Sequence, residues 1–90
     1  MKNQALNTFT VYVLFSPDFN KIYIGFTSNL EQRLISHNEL GKKGWTIKFR
    51  PWTLIHTEAF ETKADAMKRE KQLKSAKGRE FIWRDIIKNE

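Results

Sequence analysis

Cysteine is absent from this 90-residue chain, so neither disulfides nor thiolate metal sites can form, a composition that suits the reducing cytoplasm. Long apolar runs are absent as well. The hydrophobic residues, 40% of the chain, fall in short clusters and never in the roughly 18 consecutive positions that a membrane-spanning helix needs. No membrane partner is expected. The first nine residues carry Lys2 but no apolar stretch leading to a small-residue cleavage site, so a secretory signal is not expected either. Also missing are a phosphate-binding Walker loop, a G-x-G-x-x-G turn, a nucleophile elbow and an H-E-x-x-H pair; the two histidines, His37 and His56, are not spaced as a zinc pair on one element.

Acid is in short supply: 10 Asp and Glu against 16 Lys and Arg give a formal charge of +6. The excess is clustered. From Lys42 to Arg50 there are four basic residues and no acid, and from Lys63 to Arg79 there are seven against Asp65 and Glu70. Clustered positive charge is the footprint of a polyanion partner, because each neutralised phosphate releases condensed counterions. A merely solvated basic helix face reads the same way from charge alone.

At this length the chain holds one domain, spanning residues 1–90 with its core at about 8–87, since domains usually run to about 100 to 200 residues. Thr8 to Phe15 and Lys21 to Phe26 are rich in β-branched and aromatic residues and read as strands. Pro17, Asp18 and Asn20 between them make an antiparallel hairpin. Ser28 and Glu31 form an S-x-x-E capping box, which predicts a helix from about Leu30 to Glu39 that stops at Gly41, with Leu30 and Leu34 on its buried stripe and Arg33 and His37 together on one margin. The stretch from Gly41 to Trp52 is a loop in which aromatics alternate with Lys and Arg; it is expected to turn Lys42, Lys43, Lys48 and Arg50 outward and at least one Trp inward. Thr53 to Phe60 is a third strand. Thr62 and Asp65 open a second helix expected to reach Lys77, with Gly78 as its stop, and Glu80 to Lys88 is a last amphipathic stretch. The expected fold is therefore α+β, a small three-stranded antiparallel sheet flanked by helices in the order β-β-α-β-α-α.

One carboxylate stands out. On the Thr62 helix the apolar stripe is Ala66, Met67 and Leu73, and Glu70 falls inside it, a costly place unless the acid is paired, hydrogen-bonded or bound to metal. It could instead sit at the stripe's edge and pair with Lys74 or Arg69. Arg33 and His37 each read as ordinary helix residues, and Tyr12 and Tyr23 as packing aromatics, when taken singly.

Taken together they form an ordered set. Thr10-Val11-Tyr12, then Tyr23-Ile24-Gly25, then Arg33 and then Glu70 resemble the GIY-YIG endonuclease family, in particular the small stand-alone members related to the N-terminal nuclease domain of the excinuclease that acts in DNA repair. The similarity runs from about Thr8 to Ile87. It implies a catalytic set of Tyr12, Tyr23, Arg33, His37 and Glu70, in which Glu70 holds one Mg²⁺ or Mn²⁺ with water and phosphate oxygens completing the shell. A tyrosinate or a metal-bound hydroxide, arising from Tyr12 with help from Tyr23 or His37, would activate the attacking water while Arg33 stabilises charge growing on the phosphate. A free phenol, with a pKa near 10, is almost wholly protonated at neutral pH, so this step fits only if the metal and Arg33 lower the pKa of the donor. The first motif reads TVY, so only its tyrosine is carried over, and the asparagine that many members carry well after the glutamate has no match here.

The function expected is metal-dependent hydrolysis of DNA phosphodiester bonds, structure-selective, in DNA repair or processing, with RNA left open as a substrate and a protein partner for targeting allowed. Lys42, Lys43, Lys48, Arg50, Lys71 and Lys74 are the expected nucleic-acid contacts. The alternatives are a non-cleaving nucleic-acid-binding module with the same fold, and a protein-interaction domain whose charge excess is incidental.

Overall fold

The computed structural model describes residues 8–41 and 44–88. Three strands, β1 (Phe9–Ser16), β2 (Lys21–Thr27) and β3 (Thr53–Phe60), form one antiparallel sheet in the order β2-β1-β3. The expected hairpin is present, and Asn20 adopts the left-handed conformation (φ 57°) that its turn requires. β1 is the central strand. Its run Val11–Leu14 is buried throughout, which explains why the sequence there shows no polar alternation: both faces of the strand are covered.

One face carries Val11, Val13, Ile22 and Ile24 against Ala66, Leu73 and Ile82. The other carries Tyr12 and Leu14 against Trp52, Leu30, Leu34 and Phe49. The first face is covered by α2 (Lys63–Lys74) and α3 (Ala76–Phe81), the latter continuing in wider turns through Ile82–Ile87. The second is covered by α1 (Leu30–Ile35), which continues in wider turns through Ser36–Leu40, and by a short 3₁₀ turn at Trp45–Phe49. The α+β class and element order are as the sequence implies. No helix among the described residues is long and apolar enough to cross a membrane.

Several local expectations are corrected. The cap of α1 is Asn29 and not Ser28: the Asn29 side chain accepts from the Gln32 amide at 3.1 Å, and the Thr27 hydroxyl accepts from the Asn29 amide at 3.0 Å. Both residue types cap well, and the Thr27 contact selects the later one. Thr62 caps α2 as expected, accepting from the Asp65 amide at 3.1 Å. However, α2 ends at Lys74, where Ser75 turns extended (ψ 169°) and caps α3 by accepting from the Gly78 amide. Gly78 is therefore no helix stop. It lies inside α3, and a Cβ there would collide with the Leu73 backbone and the Gln72 carbonyl, so glycine lets α3 pack down on the end of α2.

Candidate active site

The β1–β2 register sets Tyr12 directly opposite Gly25, with Tyr23 opposite Leu14 on the same face of the sheet. Glycine at position 25 is a spatial requirement. A Cβ there would stand 2.8 Å from the Tyr12 hydroxyl oxygen and 3.1 Å from the Tyr23 ring, so the missing side chain is the space into which the phenol fits.

Tyr12 is 1% exposed and His37, from the wide turns after α1, is 7% exposed. The Tyr12 hydroxyl lies 3.0 Å from His37 Nε2, and the Tyr23 ring centre is 4.7 Å from that of His37. Burial pushes the Tyr12 phenol above its ordinary value, with the neighbouring Tyr23 and Glu70 adding to the rise and Arg33 alone opposing it. Burial pushes His37 down, assisted by Arg33 and Arg50. In the tautomer that carries its proton on Nδ1, a neutral imidazole accepts the Tyr12 hydroxyl proton.

In front of this pair is a cleft of about 410 Å³ lined by Tyr12, Tyr23, Gly25, Arg33, Lys63 and Glu70, among others. It lies at the β2 edge of the sheet, where α1 on one face and α2 on the other approach each other. Four elements thus bring Tyr12, Tyr23, Arg33 and Glu70 to one opening. His37 is not on its wall and reaches it through Tyr12 and Tyr23. The expectation that Arg33 and His37 project together is corrected accordingly: one points into the cleft, while the other turns into the core between two tyrosine rings. Lys63 has no counterpart among the residues expected in the site. It sits two helical turns before Glu70 on α2, so helix periodicity could have found it.

Glu70 is half-buried and pairs with Lys74 at 3.2 Å. Arg69 is not its partner, because that guanidinium grips Glu58 at 2.8 and 3.0 Å. This hydrogen bonding, with help from His56, holds the Glu58 carboxyl below its ordinary value against the opposing effect of burial. Met67, expected inside the stripe, is 49% exposed; only Ala66 and Leu73, also two turns apart, are buried on α2. Among the described residues no three His, Asp or Glu side chains gather as a metal cluster. A single carboxylate facing an open cleft suits a hard cation that keeps most of its waters, as Mg²⁺ and Mn²⁺ do, and does not suit zinc.

The expected nucleic-acid contacts divide. Lys48, Lys71 and Lys74 are exposed, and the last two border a groove of about 590 Å³ that also has Glu70 on its wall. Lys42 and Lys43 lie outside the described residues. Arg50 does not point outward: its guanidinium donates to the carbonyls of His37 (2.6 Å), Gly41 (2.7 Å) and Ser36 (3.2 Å). It caps carbonyls at the end of the α1 segment, sharing that of Ser36 with the Gly41 amide at 2.8 Å.

A family model described as the GIY-YIG catalytic domain matches residues 8–83. A UPF0213 protein of Bacillus velezensis is 42% identical over 79 residues, covering 84% of this chain and 79% of that one. One from Natronomonas pharaonis is 40% identical over 65 residues, covering 72% of this chain and 75% of that one. The solution NMR structure of a UPF0213 protein from Bacillus halodurans superposes with a TM-score of 0.51 at 27% identity, covering 83% of this chain and 81% of that one.

Proposed function

Because the chain belongs to the GIY-YIG catalytic-domain family, a family of nucleases, we propose that it is a divalent-metal-dependent endonuclease that hydrolyses DNA phosphodiester bonds, structure-selectively, in DNA repair or processing. The observation that carries this reading is the convergence of Tyr12, Tyr23, Arg33 and Glu70 on one cleft. A scissile phosphate entering it meets the Arg33 guanidinium, which matches phosphate geometry and stabilises the charge that develops as bonds exchange. Lys63 adds a second cation on the α2 side. Glu70 would hold Mg²⁺ or Mn²⁺, which when bound supplies positive charge against the phosphate oxygens.

In this reading Tyr12 takes the proton of the attacking water. With burial holding its phenol protonated, a standing tyrosinate is not available at neutral pH, so the transfer has to be concerted. The Tyr12 proton passes to His37 Nε2 across the 3.0 Å contact as the Tyr12 oxygen takes a proton from water. The water oxygen bonds to phosphorus, the bond to the leaving sugar oxygen breaks, solvent in the open cleft gives a proton to that oxygen, and the reverse relay through Tyr12 returns the His37 proton to solvent. His37 acts through Tyr12 and is a positioning and relay residue. Tyr23, beside both, restricts where the water can stand.

A second reading has one observation in its favour. The Glu70–Lys74 pair is what a structural glutamate in a non-cleaving binding module would make. Incubation with supercoiled plasmid, branched DNA and RNA, in Mg²⁺ or Mn²⁺ and in EDTA, separates the readings. Nicking in metal and none in EDTA is expected; binding without nicking under every condition would establish the module, and cleavage of RNA alone would reassign the substrate.

A further inference from the structure

Away from the cleft, two large aromatic rings stand in solvent: Phe19, on the hairpin turn, is 47% exposed, and Trp45, at the start of the 3₁₀ turn, is 46% exposed. Both belong to one row of rings, which Phe19 ends. From Tyr23 on the cleft wall, ring centres follow at 6.4 Å to Trp52, 5.8 Å to Trp45, 4.7 Å to Phe49 and 5.4 Å to Phe19. Trp52 is buried and anchored, its indole N–H donating to the Thr46 carbonyl at 2.8 Å and its amide to Asn38 Oδ1 at 2.7 Å. The outer rings are therefore held on a fixed base. Their surroundings are cationic: Lys21 lies 5.5 Å over the Phe49 ring, Lys48 is exposed on the same turn as Trp45, and no acid occurs between Gly41 and Thr57. Asp18 is the acid of the hairpin turn.

Exposed aromatics of this kind usually mark a binding surface. Rings interleaved with lysines, and joined to the cleft wall through buried Trp52, match an unpaired nucleic-acid strand, whose bases stack on the rings while its phosphates meet the cations. A base pair inside a duplex cannot offer its face to such a ring; an unpaired base can. Resting on the nuclease reading above, we infer that Trp45 and Phe19 form a stacking platform for an unpaired strand leaving the cleft, so that the substrate is duplex carrying a single-stranded tail or flap beside the scissile phosphate.

The test uses the full chain in EDTA at low salt, with a fluorescein-labelled blunt duplex and the same duplex bearing an oligothymidine tail. Wild type should prefer the tailed duplex, and oligothymidine should quench the tryptophan fluorescence. Trp45→Ala and Phe19→Ala should each weaken the tailed complex by about 5- to 150-fold, the range expected for one stacked base, and leave the blunt complex within about two-fold. Trp45→Phe should retain most of the preference. Phe19 lies on an exposed turn, so its variant keeps the question open to test even if Trp45→Ala folds poorly. Binding of both duplexes with no preference for the tail and no effect of either substitution would overturn the platform and leave the nuclease reading intact. Loss of a self-associated species in both variants, with oligonucleotide affinity unchanged, would overturn it in favour of an interface between copies. No binding of either duplex by wild type would remove the nucleic-acid reading and the platform with it.

Discussion

The Tyr12 hydroxyl and His37 Nε2 are 3.0 Å apart in a part of the molecule where both side chains are buried, which makes the histidine's proton count a property of the fold. Its pKa lies below the ordinary 6.5 because of burial first and then Arg33 and Arg50. The unfolded chain therefore binds the His37 proton more readily than the folded one. In the folded chain this neutral group contributes stability above about pH 6.5, and that contribution is lost as pH falls from 6.5 toward the lower folded value. The melting temperature of wild type should drop over this window, and that of His37→Gln, which has nothing to titrate there, should drop less. Nicking by the folded protein should fall further down the pH scale, through the lower folded value, because protonated His37 cannot accept from Tyr12. Parallel melting curves for the two proteins from pH 8 to 5 would undo this account.

Gly25→Ala addresses the same pair from the opposite strand. The added methyl would sit 2.8 Å from the Tyr12 hydroxyl oxygen and 3.0 Å from its ring, and Tyr12, buried in the sheet, has little room to retreat. Overpacking of this kind costs about 1 to 3 kcal/mol. The variant should fold with a lowered melting temperature, bind DNA nearly as wild type, and lose nicking by a factor on the order of 10² if Tyr12 carries the proton transfer. Unchanged nicking in a folded Gly25→Ala protein would show that the Tyr12 position is not critical.

Arg50 and Lys48, two residues apart, should behave as opposites. Arg50→Ala removes a cation from three carbonyls at the end of the α1 segment. The expected loss is about 1.5 to 3 kcal/mol, given the partial exposure of the site. Lys48→Ala should leave stability within about 0.5 kcal/mol and make the slope of log K against log[salt] shallower by about 0.9, one phosphate contact. A shallower slope for Arg50→Ala at unchanged melting temperature would restore it as a DNA contact.

These residues also show where sequence stops informing. The strands and the Thr62 cap were legible because strand propensity and capping are local properties, and the family resemblance picked out Tyr12, Tyr23, Arg33 and Glu70, which line one cleft. What escaped depends on tertiary neighbours. Asn29 displaced Ser28 as a cap through a hydroxyl on Thr27; Gly78 looked like a stop because glycine serves equally for helix ends and close packing. Met67 and Arg50 were misread for one shared reason: a helical wheel or a loop composition gives no direction until the partner surface is known. Arg50 faces carbonyls at the end of an element that precedes it in the chain, on the far side of the Trp45–Phe49 turn.

Arg33 and Lys63 face the cleft from opposite sides of the sheet and should divide ground-state from transition-state binding. Arg33→Ala should lower the cleavage rate by a factor on the order of 10² to 10³ with a smaller loss of affinity, as donors to developing charge do. Lys63→Ala, whose compact ammonium on an exposed stem acts as a point charge, should lower affinity and the salt slope and leave the rate at saturating DNA within about ten-fold. Single-turnover rates and dissociation constants on one nicked-product assay distinguish the two; proportional losses in both variants would make Arg33 a plain phosphate-binding residue.

Glu70 is where the structural and chemical roles diverge most. Its carboxylate pairs with Lys74 in an i,i+4 contact of 3.2 Å and also faces the cleft, so both roles are physically available to it. As a partly exposed ion pair it is worth about 0 to 1 kcal/mol, and Glu70→Gln should therefore leave the fold almost untouched. As the cation's protein ligand it is irreplaceable, because an amide is a poor ligand for Mg²⁺. Near a bound phosphate without metal the carboxylate also repels the substrate, so the glutamine variant should bind DNA in EDTA as well as wild type or better. Loss of Mn²⁺-dependent nicking at unchanged melting temperature and equal or tighter DNA binding is the pattern expected of a ligand. A second variant, Lys74→Ala, removes the ion pair and keeps the carboxylate; it should retain nicking, though with a shallower salt dependence of binding. If Glu70→Gln nicked DNA at the wild-type rate, the ion pair would be the residue's whole role, and the metal would have to be held by something other than this side chain.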